Sequence, residues 1–203
     1  VGFNRRFAPL ARQMKAAVGN SRMAMLFRVN SGSIPADNWI QDLKVGGGRI
    51  IGEGCHFIDF MTWMCGSLPQ EVYAQSVEDP AHLNDTVSVN ILFANGSVGT
   101  LHYCPNCNKG MDKEYFEASS CGTSVRLNDF RSLEIFGKRL IRKKLLSQDK
   151  EQRTMVTEFI RSLEDGAPEL ISWPELKAVS LASFAVVRSL QEKSPIRIVH
   201  DAE

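Results

Sequence analysis

The residues most able to do chemistry lie in one run, Gly46-Gly47-Gly48-Arg49-Ile50-Ile51-Gly52-Glu53-Gly54-Cys55-His56-Phe57-Ile58-Asp59. A histidine, with an unperturbed pKa of about 6.5, can take or give a proton near neutral pH. Carboxylates stand three residues to either side of it. If the run is a helix that starts near Gly48 and continues to Gly66, residues three and four apart are neighbours. Arg49, Glu53, His56, Asp59 and Thr62 then form a narrow polar stripe, and apolar or small residues fill the rest of the circumference. Two readings of the stripe stand side by side: a solvated strip with an Arg49–Glu53 pair, or the wall of a cleft. The glycines favour the cleft. An interior glycine costs about 1 kcal/mol relative to alanine, so five of them here imply that something approaches the backbone closely.

Other constellations carry less. Cys104-Pro105-Asn106-Cys107, with His102 just before it, has the knuckle spacing of a zinc site, but a structural site wants four ligands and no second pair stands at a matching distance. The competing reading is two thiols at a strand end, and we expect no metal. Lys138, Arg139, Arg142, Lys143 and Lys144 are interrupted by Leu140 and Ile141 and lack interleaved aromatics. They read as an edge strand whose charges block edge-to-edge pairing, and no nucleic-acid partner is expected. Neither a G-x-G-x-x-G fingerprint nor a phosphate-binding loop is present, and no Gly-x-Ser-x-Gly motif marks a hydrolase. His82 and His200, among loop formers and near the end, are expected to be exposed and idle.

The elements that must position the histidine can be read from periodicity. The spacing predicts helices over 7–18, 48–66, 150–164 and 173–193, and strands over 23–30, 71–77, 86–93, 97–103, 114–119, 123–127, 132–136, 139–144 and 196–199. Asn95-Gly96 predicts a tight hairpin, and Ser172-Trp173-Pro174-Glu175 a capped helix start. In the 150–164 helix, Met155, Val156, Phe159, Ile160 and Leu163 form the face expected to be buried. Sequential strands favour an α+β two-layer sandwich: a large mixed, mostly antiparallel sheet, helices on one face, the other face open for a second subunit. With 203 residues, 43% hydrophobic, and a formal net charge of +1, the chain suits a single domain with a sizeable core. Five scattered cysteines fit reduced thiols, and no membrane span or signal peptide is visible, so a cytoplasmic location is expected. Val1-Gly2-Phe3-Asn4 reads as the last strand of a preceding unit, so the chain is expected to be cut from a longer one.

Taken together, these residues resemble the Gfo/Idh/MocA oxidoreductases, which include glucose-fructose oxidoreductase and inositol dehydrogenases. The likeness is carried by VGFNRRFAP at 1–9, by GGGRIIGEGCHFIDF at 46–60, which is similar to a GGG-x-L-x-D-x-G-x-H-x-x-D signature, by 113–117 and 127–130, and by 173–178. The resemblance implies a substrate-binding and oligomerisation domain of the dihydrodipicolinate reductase and glyceraldehyde-3-phosphate dehydrogenase C-terminal type. It would follow a Rossmann domain absent from this chain and be inactive alone. It implies NAD or NADP as cofactor, and a sugar, cyclitol or related polyol as substrate. It places the proton-transferring role on His56, substrate contacts on Asp59, Glu53 and Trp39, and cofactor contacts on Arg5, Arg6 and Gly47. The family's aspartate four residues before the histidine falls on Gly52, with Glu53 beside it. The rival expectation is a non-catalytic sugar-binding or assembly module of the same fold.

Overall fold

The computed structural model describes residues 2–42, 44–78, 83 and 85–200, which leaves His82 outside the described residues. A 3-10 helix, Asn4–Phe7, runs directly into helix α1, Pro9–Val18, where a proline at the first position removes an N–H that the helix would not have used. The strand expected at the start is not formed by residues 2–4, since no strand of the sheet lies beside them to share its hydrogen bonds. α1 buries Leu10, Ala11, Met14 and Val18 and stops at Gly19, whose φ of 69° favours a residue without Cβ.

Period-two segments become strands within a residue or two of their expected bounds. They are β1 (Ala24–Asn30), β2 (Pro69–Ser76), β3 (Val87–Phe93), β4 (Val98–Cys104), β5 (Glu114–Ser120), β6 (Thr123–Asn128), β7 (Ser132–Phe136), β8 (Leu140–Lys144) and a short β9 (Ile196–Arg197). They form a single sheet in the order β8-β7-β6-β5-β1-β4-β3-β2-β9. Every pairing is antiparallel except that of β1 with β4. Burial alternates along the strands, most regularly in β3, so one face is packed and the other is open. The architecture is thus the expected two-layer α+β sandwich. The basic segment is the edge strand β8, exposed along its whole length.

Helix α2, Cys55–Cys65, carries His56 and lies on the packed face. Phe27 of β1 fixes it there: its ring meets Phe57 at 4.9 Å, Phe60 at 5.5 Å and Phe116 at 5.4 Å, all edge to face. The helix ends at Gly66, left-handed at φ 60°, with Ser67 N donating to Thr62 O at 3.3 Å. Helix α4, Trp173–Glu192, begins as its sequence implies, with Ser172 Oγ accepting from Glu175 N at 3.4 Å, and packs Val179, Ala182 and Val186 inward.

Helix α3, Gln152–Glu164, overturns one expectation. Its apolar face is not buried: Val156 is 49% exposed, Phe159 53%, Ile160 50% and Leu163 67%. The periodicity is real, but within this chain the helix packs mainly on the Asn4–Phe7 turn, through residues such as Met155, and no sheet lies beneath the rest. His200 also differs from expectation: half-buried, its Nε2 lies 2.8 Å from Pro69 O.

Candidate active site

The glycine run is not a plain α-helix. Residues Ile50–Gly54 form a π-helical turn that passes straight into α2. Such wide turns insert one residue into a helix and recur at functional sites. The glycines answer to the chain itself. A Cβ on Gly46 would lie 2.5 Å from Ile40 Cα and 2.6 Å from Trp39 O, and one on Gly52 would lie 3.2 Å from the Ile40 side chain. Gly47 and Gly48 adopt φ of 74° and 82°. What approaches the backbone closely is the loop at residues 39–40.

Most of the polar stripe is internal. Arg49, Asp59 and Thr62 are 3%, 1% and 1% exposed, so the stripe faces protein partners rather than water. Thr62 Oγ1 donates to Ile58 O at 2.8 Å, and Arg49 Nη1 donates to Gly32 O at 2.7 Å. Asp59 accepts from both Arg6 Nη2 and Arg6 Nε, and Arg6 also reaches Glu175 at 3.3 Å. Burial pushes the Asp59 carboxyl above its ordinary value, against the attraction of Arg6. This arrangement ties the 3-10 helix, α2 and the start of α4 together.

A second buried ion cluster is centred on Glu114. Glu114, 1% exposed at the start of β5, receives Arg5 Nε at 2.8 Å and Nη2 at 3.0 Å, and Lys150 Nζ at 2.5 Å. Burial alone would push Glu114 up, but Arg5 and Lys150 hold it below its ordinary value. The Arg5 guanidinium rests 4.6 Å over the Phe57 ring. A third cluster is centred on Glu53. Tyr103 Oη donates to Glu53 Oε2 at 2.5 Å, Arg49 Nη2 donates to the same oxygen at 3.0 Å, and Lys113 Nζ stands 3.5 Å from Oε1. Burial opposes ionisation of Glu53, yet these three partners hold it below its ordinary value, so it is a carboxylate at neutral pH.

His56 is near enough to Arg5, Glu53 and Glu114 to feel their charges. Its ring meets Phe3 edge to face at 5.4 Å, and its Nδ1 is a buried polar atom without a hydrogen bond among the described residues. Burial, and after it the Arg5 cation, push its pKa down to about 4 despite Glu53 and Glu114. The ring is therefore neutral at pH 7. A buried ring nitrogen left without a partner costs about 1–3 kcal/mol.

The other expected residues are placed as follows. Glu53 shares the site with His56, while the Asp59 carboxylate is turned to Arg6. The guanidinium groups of Arg5 and Arg6 are both engaged by carboxylates. Trp39 is 66% exposed on its loop. Gly47 lines a cavity of about 340 Å3 with Gln41, Asp85 and Gln191, among others, and His56 does not line it. Sequence reading missed Tyr103, Lys113, Lys150 and Glu114. For Glu114 a signal existed, because it has the same strand parity as Phe116 and Ala118, and a carboxylate on an inward-facing position must be paired.

The fold is shared with solved structures. An oxidoreductase domain protein from Kribbella flavida superposes with a TM-score of 0.83 at 16% identity, over 98% of this chain and 66% of its own. Levoglucosan dehydrogenase in complex with NADH and L-sorbose superposes with a TM-score of 0.77 at 20% identity, over 98% of this chain and 65% of its own. The particular family follows from sequence: the GFO/IDH/MocA C-terminal domain matches residues 12–139, and the chain belongs to that family of oxidoreductase domains. A myo-inositol 2-dehydrogenase from Thermotoga maritima is 26% identical over 97% of this chain, which spans 63% of that relative's length. Among the described residues no helix is long and apolar enough to cross a membrane.

Proposed function

We propose that this chain supplies the substrate-side half of an NAD(P)-dependent dehydrogenase that oxidises a hydroxyl-bearing carbon of a sugar, cyclitol or related polyol. The observation that carries the reading is the neutral His56 with a buried, unpartnered Nδ1, set near Glu53 and the Arg5–Glu114 pair. A nicotinamide, when bound, takes the hydride that leaves the substrate carbon. This chain's own part is to orient the hydroxyl and accept its proton at the His56 imidazole. Glu53, anchored by Tyr103 and Arg49, keeps one carboxylate face toward the site to accept from a second hydroxyl, and Trp39 on its exposed loop covers the substrate. Arg5 and Arg6 do not fit direct contacts to the dinucleotide phosphates, since carboxylates occupy both; they hold the walls of the site.

The dinucleotide is assigned to a Rossmann domain preceding Val1. In support, Gly2 and Phe3 share a groove with Met155, Val156 and Phe159 of α3, whose apolar face the described residues cover only in part. The open sheet face, with Leu26, Leu92 and Val98 partly exposed, is the proposed surface for a second subunit. A soluble cytoplasmic enzyme inactive as the isolated fragment is the corresponding expectation. The test is turnover of the full-length protein, followed by nicotinamide absorbance across sugars and inositols. His56→Ala should lower kcat by about 10²-fold or more, and unchanged kcat in a folded variant refutes the role.

A further inference from the structure

We propose that Cys104 and Cys107 form a reactive dithiol site that exchanges with low-molecular-weight disulfides and closes to an intramolecular disulfide. Cys104 is the last residue of β4, and the chain turns back at residues 105–106. Pro105 fixes φ at the start of that turn. Residues three apart across a tight turn have Cα atoms within about 7 Å, and a disulfide needs about 4.4–6.8 Å. The turn therefore brings the two residues close to the separation that a disulfide spans.

The two thiols differ in access. Cys107 is half-buried, whereas Cys104 is 2% exposed. The Cys104 thiol is pushed up to about 12 by burial first and by its interaction with Cys107 second, against the nearby Arg28 cation. The second contribution disappears once Cys107 is covalently capped. Cys55 and Cys65 are also buried and lie on α2, and Cys121 is exposed at the β5–β6 turn. Among the described residues no group of three Cys, His, Asp or Glu could hold a metal ion.

The exchange proceeds in two displacements. Cys107 releases its proton to solvent, and its sulfur attacks one sulfur of the small disulfide. That S–S bond breaks, and the first small thiolate leaves and takes a proton. Cys104 then loses its proton and attacks the Cys107 sulfur, and the second small thiolate leaves and is protonated. Two protein thiols are oxidised to one disulfide, and one small disulfide is reduced to two thiols. The loop so closed is held at both ends: Ser31 N donates to Cys104 O at 3.3 Å, and Asn30 Nδ2 donates to Asn108 O at 2.8 Å.

The test equilibrates the native full-length protein in buffers of reduced and oxidised glutathione, followed by acid quench, alkylation, digestion and mass spectrometry. The peptide containing both cysteines should lose two hydrogens and carry no alkyl group as the buffer becomes oxidising. Cys104→Ser should instead accumulate one glutathione on Cys107, and Cys107→Ser should leave Cys104 unmodified. Circular dichroism melting establishes that each serine variant is folded. A 104–107 peptide that remains fully alkylated while Cys121 is glutathionylated overturns the proposal, as does a stable glutathione adduct on Cys107 in the unmodified sequence. Because the readout is covalent mass, it is independent of dehydrogenase activity.

Discussion

The protonation of His56 can be predicted from its surroundings and measured directly. Its pKa falls from 6.5 to about 4, chiefly because burial disfavours the imidazolium and then because Arg5 stands beside it. A drop of that size weakens proton binding several-hundred-fold. At about 1.4 kcal/mol for each factor of ten this is about 3 kcal/mol, or about 2 kcal/mol after allowing for the part of the ring that water reaches. The sign follows from proton counting. The unfolded chain binds this proton below about pH 6.5 and the folded protein only below about pH 4, so in that window the unfolded state holds more proton. Stability therefore falls as pH drops from about 6.5 to about 4, and this contribution is flat outside the window. Two measurements check it. In NMR of the imidazole carbons and protons, one histidine signal, absent in His56→Gln, should titrate near pH 4. In urea unfolding, His56→Gln should lose about 2 kcal/mol less than the unmodified protein between pH 6.5 and 4. Comparing the two proteins cancels carboxylates such as Asp59 that titrate in both. An assigned His56 signal titrating at pH 6 or above would show that the ring is solvated and would refute the electrostatic account of the site.

Two further outcomes follow from the packing. Asp59→Asn leaves the buried Arg6 cation with Glu175, at 3.3 Å, as its remaining carboxylate partner among the described residues and should cost about 3 kcal/mol in urea unfolding, whereas replacing Arg6 by Met and Asp59 by Leu together should recover most of it; a double variant as unstable as the single one contradicts this. Gly46→Ala would place a methyl 2.5 Å from the Ile40 backbone, where no side chain can yield, and should cost about 1–3 kcal/mol, whereas Gly54→Ala meets nothing nearer than 3.4 Å and should be nearly neutral.

Much of the fold was legible because its signals are local. Alternation along 86–93 and 114–119, the Asn95-Gly96 hairpin and the Ser172 cap each rest on a few residues' own geometry, and the strands and α4 formed where these placed them. The site was legible only in part. The candidate histidine and Glu53 could be picked out by their spacing, but the stripe drawn through them treated Arg49, Asp59 and Thr62 as cleft-facing. Helical spacing reports which residues share a face, not what covers that face. Here the 3-10 helix at Asn4–Phe7, more than forty residues away, covers it with Arg6. The same limitation explains α3, whose periodic apolar face is genuine but is only partly covered, by the first residues of the chain, among the described residues.

The sequence by itself determined the period of each element, where helices stop, and that a titratable histidine lies on a glycine-rich helical segment, because these depend on backbone sterics and on neighbours a few positions away. Only the tertiary structure decided that β1 runs parallel to β4 at the centre of the sheet, and that Glu114 and Arg5, 109 residues apart, pair near enough to His56 to act on its charge. It also decided that the glycines make room for residues 39–40. Desolvation and ion pairing depend on which surfaces meet, and no local pattern records that; they are also what make His56 neutral and Glu53 charged.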